Sequence, residues 1–191
     1  ITDGNWGKAD GKPSSERNLW DRNHLYGSGY MYLCATYYQS SFPDRDYRFF
    51  NRGVGGHALS DLAARWQEDV LDLRPDVLSV FIGTNDVERH LRKLLRADDP
   101  QAVPDFDFAA WEKTYRSLLD KAREANPALE IVLCTPFAAP CGKIVEGALG
   151  AYYPLRQRML AQCCEVVERI AADYGATLVP FHRLIAGLES R

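Results

Sequence analysis

No stretch of the 191 residues comes near the ~18 consecutive apolar positions that a membrane-spanning helix requires. Positive charge is not in excess either. Against 26 Asp and Glu stand 23 Lys and Arg, a net charge of −3, which removes the broad basic face that nucleic-acid binding calls for. CxxC pairs are missing. The five cysteines (Cys34, Cys134, Cys141, Cys163 and Cys164) are odd in number and two of them are adjacent. That pattern fits free thiols in a reducing compartment better than a disulfide framework or a zinc site. Also absent are HExxH, the GxSxG elbow and GxGxxG. With them go the usual signatures of a zinc hydrolase, an α/β-hydrolase and a dinucleotide enzyme. There is no internal repeat and no low-complexity tract.

What is present is a chain that is 46% hydrophobic and long enough to bury the core of one domain. Its one dense basic run, "RHLRKLLR" (Arg89 to Arg96), spaces its leucines as an amphipathic helix does and reads as a solvated helix face.

Short apolar runs alternate with longer amphipathic ones. "YRFFN" (Tyr47 to Asn51) reads as a strand. "SDLAARWQEDVLDL" follows with Leu62, Trp66, Val70 and Leu73 near one face, Ser60 as N-cap and Pro75 as its stop. "VLSVFIG" (Val77 to Gly83) is a continuous apolar run of the kind a parallel sheet buries on both faces. "FAAWEKTYRSLLDKAREA" lines up Trp111, Tyr115, Leu118 and Ala122 and ends at Asn126-Pro127. "LEIVLCT" (Leu129 to Thr135) is a strand, and "LRQRMLAQCCEVVERIAADYG" a helix with Gly175 as its C′ residue. "ATLVPF" is a last short strand. This alternation predicts a three-layer α/β/α sandwich around a parallel, flavodoxin-like sheet.

Ligands in such sheets bind at the carboxyl ends of the strands. Three segments fall there: "NRGVGG", "GTND" and "TPF". The glycines of the first can bring bare N–H groups close to a ligand, or can simply make a tight turn. Asn85 in the second can donate from its amide to a developing oxyanion, or can serve as a turn residue. A glycine N–H and an asparagine amide from neighbouring strand ends would together form an oxyanion hole. Among His24, His57, His90 and His182, the second lies beside that glycine turn and the last follows a strand. Cys134 and Cys141 flank "TPFAAPC", but neither has an identifiable histidine partner.

Taken together, "GSGYMYL", the long stretch "FFNRGVGGHALSDLAARWQEDVLDLRPDVLSVFIGTNDV", "CTPF" and the helix after Tyr153 resemble the SGNH/GDSL hydrolases. The likeness is strongest to the intracellular acetylxylan-esterase-like branch. By that resemblance Gly56 and Asn85 are the oxyanion donors. The opening "ITDG" looks like the tail of the block Gly-Asp-Ser-(Ile/Leu)-Thr-Asp, which would place the nucleophile serine just before Ile1. The block Asp-x-x-His-Pro, which should supply base and orienting carboxylate, does not follow "ATLVPF" before Arg191. The resemblance thus implies one SGNH-hydrolase domain over residues 1–191, lacking its first strand and its Asp-x-x-His segment and inactive by itself. The activity implied is serine-dependent hydrolysis of short acyl esters, most of all O-acetyl groups on carbohydrate, a mechanism that implies neither a metal nor an organic cofactor. Alternatives are a lysophospholipase or thioesterase, or a non-catalytic flavodoxin-like remnant. The expected partner is a small or saccharide ester, with no nucleic acid and no membrane; homo-oligomerisation is left open, and Trp6, Trp20 and Tyr26 could line a sugar site, a core or an oligomer contact. A cytoplasmic location is expected, with a periplasmic or secreted one as the alternative.

Overall fold

The computed structural model describes residues 26–140 and 143–189, in two compact units that divide after Gly56. In the first unit, helix α1 (Tyr30–Ser41) precedes a segment without regular structure, and Tyr38 of the helix packs ring against ring with Tyr47 and Phe49 of that segment. Tyr47 to Asn51 has no regular structure and no ladder partner, so the strand expected at this place is not one among the described residues. Asn51 supplies local order instead. Its amide donates to the Tyr26 carbonyl at 2.8 Å and its Oδ1 accepts from the Gly53 N–H at 3.0 Å. The Tyr26 ring packs edge-on to Phe49, while Trp6 and Trp20 lie outside the described residues.

The second unit is an α/β domain. Helix α2 (Leu59–Trp66) runs into a π turn (Gln67–Leu71), then come β1 (Val77–Phe81), α3 (Thr84–Arg96), α4 (Phe108–Ala125) and β2 (Glu130–Cys134). After the short α5 (Lys143–Glu146) follow α6 (Tyr153–Tyr174), β3 (Thr177–Val179) and α7 (Phe181–Glu189). The three strands are parallel in the order β1-β2-β3, with Val80 opposite Leu133 and Leu133 opposite Leu178. Parallel neighbours in this order need helical crossovers, and α3 with α4 and then α6 provide them.

Pattern explains the helices. Trp111, Tyr115, Leu118 and Ala122 of α4 are all buried, as their spacing predicts. Gly175 ends α6 in the left-handed region at φ +58°, its N–H returned to the carbonyls of Ala171 and Ala172. On α3, Leu91 and Leu94 enter the core while Arg89, Arg92, Lys93 and Arg96 stay in solvent.

Three local expectations need correction. Ser60 is not the cap of α2, because the helix starts one residue earlier, behind Ala58. The exposed N–H groups are satisfied by carboxylates: Ala58 N–H by Asp61 at 2.8 Å and Leu59 N–H by Asp86 at 3.0 Å. Leu73 is not helical, since the chain leaves the π turn at Leu71 and Arg74 takes a positive φ of 47° before Pro75. Nor is β1 buried on both faces. Val80 is buried against the helices, but Val77 on the opposite face is 57% exposed and Ser79 is exposed beside it. Among the described residues β1 is an edge strand, and an edge strand leaves part of its surface uncovered.

Candidate active site

Asn85 is the second residue of α3, just beyond the carboxyl end of β1. The chain reaches it through Gly83, whose φ of +123° and close approach to Pro136 admit only glycine. A Cβ there would stand 2.9 Å from the Pro136 Cγ. The Asn85 amide donates one hydrogen to the carbonyl of His57 at 3.0 Å. An amide nitrogen carries two hydrogens, so the second can serve an incoming oxyanion.

The next residue, Asp86, points inward and is 8% exposed. Its Oδ1 accepts from the Leu59 N–H and, at 2.9 Å, from the indole N–H of Trp111. Burial pushes this carboxyl above the ordinary carboxylate range, outweighing both hydrogen bonds. Asn85 and Asp86 therefore grip the backbone on either side of Ala58. Sequence reading assigned no such role to Asp86; its place next to Asn85 in "GTND" was the available signal.

Gly56 closes the first unit, at φ +84°. Gly53 and Gly55 do not share that positive φ. Among the described residues, apart from its chain neighbours, a Cβ on Gly56 would meet no atom within 4 Å, so the positive φ is what favours glycine there. The next residue in the chain, His57, has a buried Nδ1 with no partner among the described residues. Burial lowers its pKa below the ordinary value, although Asp61 nearby works the other way.

A second constellation looks catalytic and is not. Thr135 Oγ1 lies 2.8 Å from His182 Nδ1, and His182 Nε2 lies 3.7 Å from Glu168. Hydroxyl, imidazole and carboxylate follow in the order of a hydrolytic triad. But Thr135 is 0% exposed, and a nucleophile that no substrate can touch does no chemistry. The same hydroxyl accepts from the His182 backbone N–H at 3.2 Å; the group pins the start of α7 to the end of β2. The buried cysteines are equally unsuited. Cys134 is buried, and burial drives Cys163 far up and Cys164 up to about 12, leaving the last two as thiols at neutral pH. Cys141 lies outside the described residues, as does His24.

That histidine ends "DRNH" (Asp21 to His24), which has the Asp-x-x-His spacing. It stands ahead of α1, not after the last strand, and is followed by Leu25 and not by proline. Among the described residues no group of three or more His, Cys, Asp or Glu is placed to hold a metal ion, and no helix is long and apolar enough to cross a membrane.

The chain belongs to the GDSL-like Lipase/Acylhydrolase family, whose model matches residues 1–191. It is 32% identical over 154 residues to an acetylxylan esterase of Geobacillus stearothermophilus, covering 80% of this chain and 63% of that one. The chain thus spans less than two thirds of the length of that curated relative. Among solved structures it resembles Axe2, an acetylxylan esterase from the same organism, at 27% identity and a TM-score of 0.72, covering 100% of this chain and 76% of that one. A GDSL-like lipase candidate from Parabacteroides merdae is similar at 28% identity and a TM-score of 0.67, over 83% of this chain and 66% of that one.

Proposed function

We propose that the protein hydrolyses short acyl esters through a serine nucleophile, and that its substrate is an O-acetylated carbohydrate. Asn85 carries the reading. Its amide is fixed by the His57 carbonyl through one hydrogen, which aims the other, and an aimed donor is what a tetrahedral oxyanion needs. Gly56 N–H is the proposed second donor, and its positive φ supports a backbone held in a conformation few other residues adopt.

In this mechanism the serine hydroxyl attacks the ester carbonyl while a histidine takes its proton. The carbonyl oxygen gathers negative charge, which Asn85 and Gly56 stabilise. The intermediate collapses and expels the alcohol, protonated by the same histidine, and water then releases the acid from the acyl-enzyme. The 191 residues contain no Gly-Asp-Ser and no Asp-x-x-His after the last strand. The proposal therefore places nucleophile and base on flanking polypeptide, and residues 1–191 alone are expected to be inactive. The acetylxylan esterase relatives support the carbohydrate acetyl assignment.

The test uses protein that includes both flanks. Asn85→Ala should lower kcat on an aryl acetate by roughly 10²–10³-fold with the fold intact; an unchanged kcat removes Asn85 from the mechanism. Rates on acetyl, butyryl and octanoyl esters decide the acyl class, and a preference for octanoyl would point to a lysophospholipase or thioesterase instead.

A further inference from the structure

The first turn of α3 holds the chain at Ala58 as a neighbouring strand would. Ala58 is extended, at φ −104° and ψ 176°. The carbonyl before it, on His57, accepts from Asn85, and the N–H after it, on Leu59, donates to Asp86. Asp86 is itself held from a third element, by the Trp111 indole of α4. Both of these N–H groups converge on one oxygen, Oδ1, while Oδ2 is buried with no partner among the described residues.

We infer that Asp86, held by Trp111, is a positioning residue for the Asn85 amide. An asparagine side chain turns freely about its last bond unless something takes one of its hydrogens. Here the His57 carbonyl does so. That carbonyl can aim the amide only if it stays in place, and its place is set two residues on by the bond from Leu59 to Asp86. The chain of control runs from Trp111 to Asp86, through Leu59 and His57, and back to Asn85. Loosening it leaves the donor present but poorly aimed. Because the amide is wanted where charge develops and not on the resting ester, such a loss falls on kcat and spares KM.

The inference rests on the proposed oxyanion role of Asn85, and the experiment separates the two. In full-length protein, Trp111→Phe removes one donor to Asp86 and keeps an aromatic ring in the core. Asp86→Asn keeps an Oδ1 able to accept from both Leu59 and Trp111. Trp111→Phe should lower kcat about 10-fold with KM within about 2-fold, whereas Asp86→Asn should hold kcat within about 3-fold. The decisive variant is the double Trp111→Phe, Asn85→Ala, which should be no slower than Asn85→Ala alone, because there is no longer an amide to aim. If Asn85→Ala keeps normal kcat, the oxyanion reading falls and the inference with it. If Asn85→Ala is impaired but Trp111→Phe costs as much in that background as in the native one, the reading stands and the positioning role is overturned. Far-UV circular dichroism at the assay temperature confirms that each variant is folded.

Discussion

The Arg156 guanidinium donates to the Glu88 carboxylate at 2.6 Å, joining α6 to α3, the helix whose first turn carries Asn85, and the arginine is only 5% exposed. The other carboxylate oxygen is held by Arg92 at 2.8 Å. A charge so deeply buried is costly once its partner is gone. Glu88→Gln should therefore destabilise the domain by about 1–3 kcal/mol, since the glutamate end is partly in solvent. Arg156→Met, which removes the charge and keeps the volume, should cost less. Urea denaturation of the two variants checks the order; the reverse ranking would mean the pair is not what holds these helices together.

Glycines at 53 and 56 should part company. Only Gly56 sits at positive φ, and its missing Cβ would point into open space. Gly56→Ala is expected to cost about 1 kcal/mol from strain alone, with a larger loss of kcat in full-length protein. Gly53→Ala should leave kcat near normal. Paired melting and kinetic measurements decide; equal losses at both sites would make the segment an ordinary turn.

Gly83→Ala should be worse for folding than either. It combines φ +123° with a Cβ 2.9 Å from Pro136, so strain and overlap add, to about 2 kcal/mol or more. For a chain of this length that is a fall in Tm of roughly 4–8 °C, visible by calorimetry.

His57, His90 and His182 all have pKa values held below the ordinary 6.5 by burial. Each takes up a proton more readily when unfolded. Their contribution to stability is complete above that ordinary value and is lost as pH falls through it toward the folded pKa values. Tm should fall between about pH 7.5 and pH 5.5, and replacing His90 with Gln should flatten the slope by its share. His90 is the suitable choice because its ring packs edge-on to Phe106 and, unlike His57 and His182, it takes no part in the bonds to Asn85 or Thr135 described above. A Tm that rises on acidification through this interval would reverse the sign.

The elements that announced themselves in the sequence carry their own periodicity. Trp111, Tyr115, Leu118 and Ala122 repeat at helical spacing, and Gly175 marks a helix end wherever the helix packs. The place of Asn85 at a sheet end was legible for a related reason, since it lies three residues past the apolar run "VLSVFI". What stayed hidden depends on contacts between distant residues. Asp86 binds Leu59 across 27 positions and Trp111 across 25, and no local pattern announces either. The same blindness bears on Ser60, because one of the two carboxylates that satisfy the start of α2, Asp86, comes from another helix. Tyr47 to Asn51 has strand composition, but a strand is a relation between two segments, and composition describes one.

The π turn at Gln67–Leu71 closes with the Asp72 N–H on the Gln67 carbonyl, five residues back. Such a ring holds one residue more than an α turn of the same rise. On one side of it α2 is anchored through Leu59 to Asp86, and on the other β1 is locked in register with β2, Val77 against Glu130. The surplus residue sits between two fixed points and disturbs neither. Deleting one residue from this turn could let it relax to a plain α turn, while the same deletion between Val77 and Asn85 would swing a strand face over and unseat the amide. Between α2 and Asn85, the stretch suited to a change of length is thus the one before β1.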